Sequence, residues 1–120
     1  MDYIGPSGTN YFDEWLGGLD AGARAAIISR LQYLKFQKTV SRPYWAKLKG
    51  SGKGLIEVRV HHRGVQYRPL CFHGPESDQI TFVAGATERD DKFSPAGILK
   101  TAQKRKEACH ESRRVSKQDF

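Results

Sequence analysis

The chain is short of cysteine, of long apolar runs and, over thirty-three residues in its middle, of acids. Only two of its 120 residues are cysteines. Cys71 and Cys109 have neither a CxxC spacing nor a His pair to complete a zinc site, so they are expected to be reduced and to pack as small hydrophobes. No stretch approaches the ~18 apolar residues of a membrane span, and the first residues lack the basic segment and apolar run of a secretory signal. The expectation is a cytoplasmic protein with no membrane partner, no metal and no cofactor. The paired imidazoles His61-His62 do not alter this: neighbours on a strand point to opposite faces and make poor co-ligands, so exposed turn polarity is the plain reading. No internal repeat or low-complexity block divides the chain.

The scarcity of acid is the informative one. From Arg42 to Gly74, thirty-three residues hold seven of the twenty Lys/Arg and one acid, Glu57, which places +6 of the formal +7 there. A basic chain of pI 9.6 points to a nucleic-acid partner, with a solvated basic face as the plain alternative. Here the charge lies on and beside two strands, Leu55–Val60 and Val65–Phe72, and charge fixed on a scaffold suits a polyanion-processing site.

Length, with 38% hydrophobic and 28% charged residues, allows one domain with one core. We place it at residues 1–110, with 111–120 as a disordered charged tail. Asp2-Tyr3-Ile4 reads as a short edge strand before the Gly5-Pro6-Ser7-Gly8 turn. Thr9 or Asn10 caps a helix in which Phe12, Trp15, Leu16 and Leu19 recur at spacings of three and four. Asp20 caps a second, from Ala21 to about Lys35, with Ala23, Ile27, Leu31 and Leu34 as its apolar stripe. Helices this close form a hairpin.

Phe36–Gly54 reads as a basic loop pinned by Trp45 and Leu48. In the strand after it, Ile56, Val58 and Val60 share one face, expected to meet the helices, and Leu55, Glu57 and Arg59 share the other. A turn at His61 to Gly64 leads to the second strand, and Gln79–Thr87 is a third, giving an antiparallel meander. Ser94-Pro95 has the form of an N-cap followed by the first helical position, which starts a last helix through Ile98, Leu99, Ala102 and Cys109. The fold class is therefore α+β: a small antiparallel sheet of three to four strands against an N-terminal helix hairpin, with a C-terminal helix.

That order of elements, with the segments Trp45-Ala46-Lys47-Leu48-Lys49-Gly50, Gly54–Val60 and Tyr67–Phe72, resembles the RelE/ParE superfamily of bacterial toxins, in particular its phage-derived, HigB-like branch. The resemblance covers about residues 10 to 109. It rests on four elements in the right order and not on any one motif; Ala102, Lys104 and Arg105 match the family's final helix. It implies the toxin of a type II toxin–antitoxin system, an endonuclease acting on messenger RNA on the ribosome, with a cognate antitoxin carrying a helix-turn-helix as partner. The alternatives it leaves are a ParE-like inhibitor of a protein target such as DNA gyrase, or an inactive nucleic-acid-binding relic.

Metal-independent RNA cleavage uses the substrate's 2′-hydroxyl against the adjacent phosphate. The protein takes a proton from that hydroxyl, stabilises the added negative charge and protonates the leaving oxygen. Arginine suits the middle task, because its planar fork gives paired donors and stays charged. Arg59 and Arg68, on neighbouring strands, are expected to converge on the face away from Ile56 and Val58, below a loop bearing Lys47, Lys49 and Lys53. Carry-over from the family points to Arg68 and to Lys47 or Lys49. Glu57 is a possible general base or only a counter-ion, and Arg59 is a catalytic cation or simply that carboxylate's partner. Lys53, Arg63, Arg89 and Lys92 are candidate phosphate contacts and Phe93 a candidate base-stacking ring. Tyr67 is expected in the core. Two departures stand out: no Tyr follows Tyr67 and only His110 lies beyond His73, where family members place an acid/base group; and Asp90-Asp91 put negative charge where RNA should pass.

Overall fold

The computed structural model describes residues 2–5, 8–37, 40, 42–76, 79–112 and 115–116. The helix hairpin forms where capping and periodicity place it. Helix α1 is Tyr11–Gly17 and α2 is Ala21–Leu34; Asn10 Oδ1 accepts from the Asp13 N–H at 3.0 Å and Asp20 Oδ1 from the Ala23 N–H at 2.9 Å. These bonds satisfy amides that the first turn leaves without a partner. Ala23, Ile27, Leu31 and Leu34 are all buried, as the stripe requires.

The strands are β1 (Asp2–Tyr3), β2 (Trp45–Lys47), β3 (Ile56–Val58), β4 (Val60–His62), β5 (Val65–His73), β6 (Ile80–Arg89), β7 (Lys92–Ser94) and β8 (Val115–Ser116), and α3 is Ile98–Ser112. They form one sheet in the order β2-β3-β5-β6-β1-β8, with β4 also beside β5 and β7 beside β6. The α+β architecture is the expected one, and the sheet is larger than three or four strands.

Several local readings change. The basic loop contains a strand, because Trp45 pairs with Val58 and Lys47 with Ile56, followed by a 3₁₀ turn over Gly50–Gly52. The ribbon Leu55–Val60 breaks at Arg59, whose N–H turns to the Tyr44 carbonyl at 2.7 Å. The last helix begins at Ile98 and not at Pro95: Ser94 still pairs with Thr87, and Gly97, at φ 77°, separates strand from helix. The strand at Asp2 is no edge, since it runs parallel to β6 on one side and antiparallel to β8 on the other. The proposed tail contributes too, through the end of α3 and through β8, while its residues 113–114 and 117–120 lie outside the described residues, as do Pro6 and Ser7 of the first turn.

Alternation along the strands divides the core into two layers. On one face Ile56, Val58, Val60, Tyr67 and Phe82 meet Phe12, Leu16, Ile27 and Leu31 of the hairpin. Phe12 stacks on Phe82 with ring centroids 4.8 Å apart, and Trp15 meets the edge of Tyr67. The indole of Trp15 lies directly on the β6 backbone, where a Cβ on Gly85 would fall 1.8 Å from its Cδ2; only glycine allows that approach. On the other face Leu55, Leu70, Phe72, Ala84 and Ala86 meet Ile98, Ala102 and Cys109 of α3.

A bulge reconciles β5 with β6. Leu70 pairs with Ala84 and Cys71 with Phe82, so Val83 is the extra residue, and both Val83 and Ala84 belong to the α3 layer. A bulge leaves a residue outside the ladder. Here the Val83 carbonyl accepts from Arg105 Nη1 at 2.7 Å, and the same guanidinium lies 4.0 Å from the centre of the Tyr11 ring. Arg105 therefore clamps α3 onto the sheet. Both thiols are free and buried; burial pushes Cys71 far up and Cys109 to about 11, which suits packing and not nucleophilic chemistry.

Candidate functional site

Helix α3 covers the part of its face that holds Leu55, Leu70 and Phe72. Farther along β5, toward the two hairpin turns, the same face becomes polar. Gln66 and Arg68 project there, joined by Glu57 from β3, Glu88 from β6 and Arg59 from the break between β3 and β4.

The charges interlock. Arg59 Nε donates to Glu57 Oε2 at 2.5 Å, and Arg68 Nε lies 3.6 Å from the same oxygen. Arg68 Nε also donates to Glu88 Oε1 at 2.9 Å, its Nη1 to the Tyr67 carbonyl at 2.9 Å and its Nη2 to Gln66 Oε1 at 3.3 Å. The two guanidiniums thus converge, as anticipated, but over carboxylates. The Arg68 side chain is 7% exposed and that of Glu57 4%, whereas Arg59 retains 33%. A buried guanidinium is tolerable only when it is paired and hydrogen-bonded, and Arg68 is both. Arg59 is the cation of the pair that faces solvent.

The other candidates are distributed unevenly. Lys47 pairs with Ile56 and so shares the side of Trp45 and the helix hairpin, opposite to Arg59 and Arg68; the expected convergence fails there because strand alternation places Ala46, not Lys47, across from Glu57. Lys49 and Lys53 are exposed around the 3₁₀ turn, on the α3 side, where Leu48 packs. Gln103 of α3 holds this turn, its Nε2 donating to the carbonyls of Ser51 at 3.2 Å and Lys53 at 2.8 Å. Neither lysine joins the arginine network by an ion pair or hydrogen bond among the described residues.

Both hairpin turns lie at one end of the sheet, because Gln66 pairs with Glu88. Arg63 and Gly64 turn β4 into β5 with φ 49° and 79°, and Asp90 and Asp91 turn β6 into β7 with φ 52° and 62°. Two successive positive φ values are the signature of the tight turn that matches strand twist. Arg63, Arg89, Lys92 and both aspartates are therefore exposed at the tips, and the Asp90 carboxylate lies 4.0 Å from Arg89. Phe93, across from Glu88, is half-buried in the α3 layer. It borders an open groove of about 690 Å³ with Lys92, Ile98, Leu99, Lys100 and Ser51.

Glu88 and Gln66, partners of Arg68, were not candidates from sequence. Gln66 was accessible to the rule that i and i+2 share a face; Glu88 needed the β5–β6 register, which the bulge at Val83 shifts. His61 falls on this face as well: it pairs with Gln66, while His62 turns the other way, against Gly22 of α2. No group of three or more His, Cys, Asp or Glu suited to holding a metal occurs among the described residues, and no helix there is long and apolar enough to cross a membrane.

Residues 14–107, which span α1 to the middle of α3 and include every residue of the network, match the family model described as phage derived protein Gp49-like (DUF891). No curated protein matches the sequence.

Proposed function

The chain belongs to the phage-derived Gp49-like family, a RelE-like family associated with the toxins of toxin–antitoxin pairs, and from that premise we propose that it is the toxin of a type II system, of the HigB-like kind, and cuts messenger RNA on the ribosome. Family membership implies an antitoxin partner; in our reading this is a helix-turn-helix protein and the active face is what it covers.

The observation that carries the nuclease reading is the convergence of Arg59 and Arg68 on a single oxygen of Glu57. It supplies a rigid cationic fork whose outer member, Arg59, is accessible. In this reading Arg59 donates to the non-bridging oxygens of the scissile phosphate as charge builds on them, and Arg68, fixed by Glu57, Glu88 and Gln66, is the positioning residue that holds the floor. Preorganised donors of this kind stabilise a transition state without having to reorganise. Lys49 and Lys53 at the 3₁₀ turn, with Arg63, Arg89 and Lys92 at the hairpin tips, meet neighbouring phosphates, each adding to the salt dependence of binding. Phe93 offers the edge of the groove to a base.

Inducing the wild-type chain, Arg68→Ala and Lys49→Ala in a bacterial host, with mapping of RNA 5′ ends, tests this. Growth arrest with new in-frame 5′ ends in the wild type, lost in Arg68→Ala and weakened in Lys49→Ala, is the expected result. Circular dichroism of each variant separates lost chemistry from lost fold.

One observation favours a second reading. The network holds two guanidiniums and two carboxylates, and the tip beside it carries Asp90 and Asp91. A face so compensated also suits a ParE-like inhibitor that docks on a protein such as DNA gyrase. Growth arrest with intact RNA selects that reading.

A further inference from the structure

Resting on the nuclease reading, we infer that His61 is the proton-transferring residue of the site, the group that takes the proton of the attacking 2′-hydroxyl. No tyrosine follows Tyr67 in the sequence, and the other histidine and tyrosine rings whose side chains the structure describes are placed elsewhere. His110 packs against Phe72 with ring centroids 5.2 Å apart; Phe72 is four residues along β5 from Arg68, about 13 Å at the rise of a strand. Tyr67 is buried against the helix hairpin and Tyr11 lies under Arg105. Tyr33 and Tyr44 meet each other edge-on, with Arg30 over the latter. His62 faces Gly22 on the opposite side of the sheet, and His73 ends the far end of β5.

Among the described residues, His61 is the one such ring on the right face at the right end. It is the direct cross-strand partner of Gln66, whose side chain accepts from Arg68. Diagonal neighbours across an antiparallel pair lie about 7–8 Å apart, so Arg68 is within one phosphate group's reach of the imidazole. Two residues back along the same ribbon is Arg59. The carboxylates are poor rivals: Glu57 is 4% exposed and accepts from Arg59, and Glu88 accepts from Arg68. His61 is exposed, and among the described residues its side chain takes part in no hydrogen bond or ion pair. Imidazole is also the side chain best suited to giving and taking protons near neutral pH.

The step balances as follows. A proton passes from the 2′-hydroxyl to the free ring nitrogen of His61 as the O2′–P bond forms and the P–O5′ bond breaks. Water protonates the departing 5′-oxygen, and the imidazolium neutralises the hydroxide left behind. The products are a 2′,3′-cyclic phosphate and a 5′-hydroxyl. The charged groups on this face of the sheet are Arg59 on the same ribbon, Glu57 on β3, Arg68 on β5 and Glu88 on β6.

The test is single-turnover cleavage of a short messenger RNA on bacterial ribosomes by the full-length chain. His61→Ala and His61→Gln should each lower the rate about a hundredfold, the lower range for loss of general base catalysis, with unchanged circular dichroism. Added imidazole should restore part of the rate to His61→Ala and none to Arg68→Ala, and the variants should lose the rise of rate with pH that the wild type shows. Cleavage by both His61 variants at the wild-type rate, or a loss that imidazole does not relieve, overturns the role of His61 and leaves the nuclease reading standing. A wild-type chain that cuts nothing overturns the nuclease reading, and this inference with it.

Discussion

The two faces of one sheet were built from the same strands and serve different ends. The hairpin face is apolar where α1 and α2 close it, from Phe82 to Val60, with Lys47 and His62 at its margins. The opposite face is apolar only under α3 and then changes, within two residues on β5, from Leu70 at 0% exposure to Arg68 at 6%. Arg68 is as hidden as its neighbours yet charged. What separates the two regions is therefore not burial but the means of satisfying buried groups: dispersion and area on one side, a closed set of ion pairs on the other. A polar network of that kind contributes little net stability compared with apolar packing of the same volume, so its place beside a solvent-facing Arg59 and His61 fits the proposed site better than a purely structural role.

The sharpest way to break this comparison is to cut equally deep on both faces. Phe12, at 1% exposure, anchors the hairpin layer, and Phe72, at 0%, anchors the α3 layer. Phe12→Ala and Phe72→Ala should each destabilise the fold by about 4 kcal/mol, the range for large buried aromatics, measured by urea denaturation. Near-equal losses would show that the α3 layer is as much a part of the fold as the hairpin layer. A loss below about 1 kcal/mol for Phe72→Ala would make α3 a loosely held cover.

Glu57→Gln comes next, and sharpens the contrast within the second face. The substitution keeps size and an acceptor but removes the charge that Arg59 and Arg68 share. Weakening a buried charge-assisted bond costs about 2 kcal/mol, moderated here because Arg68 keeps Glu88 and Arg59 is partly in water. Under the proposed nuclease reading, toxicity should fall more than stability does, since the aim of Arg59 is lost while the fold survives. Toxicity at the wild-type level would show that Glu57 is only a counter-ion.

Much of the architecture was legible because it follows from local rules. Asn10 and Asp20 announce their helices, and Ile56, Val58 and Val60 announce their face. The convergence of Arg59 and Arg68 followed from the same alternation. What failed depended on register. Lys47 went to the wrong side because the strand hidden in the basic loop was not recognised, and three residues with one apolar anchor give a weak periodic signal. Glu88 was missed because a one-residue bulge at Val83 resets every facing beyond it. The text at His61 reads as turn polarity, yet β4 runs through His62 and the turn is Arg63-Gly64, two positions on. The start of α3 was misjudged for a tertiary reason, since pairing with Thr87 holds Ser94 in a strand that its Ser-Pro text does not favour.

The smallest effect lies at the junction of the two regions, where Asp20 caps α2 close to the β4–β5 turn. Its carboxyl is held below the ordinary value of 3.8, first by the Ala23 N–H and with smaller help from His62 and Arg63. A carboxyl whose folded value is depressed binds its proton more readily in the unfolded chain. It therefore stabilises the fold above the unfolded value, and that contribution fades as pH falls through the unfolded value toward the folded one. Asp20→Asn preserves a cap acceptor but cannot titrate. Its melting temperature should match the wild type's within a degree or two near neutral pH, and should fall less steeply below about pH 4, where carboxylates protonate. Identical acid limbs for the two proteins would mean that the depressed carboxyl has no energetic weight. A steeper limb in the Asn variant would mean that folding raises the Asp20 carboxyl and does not depress it.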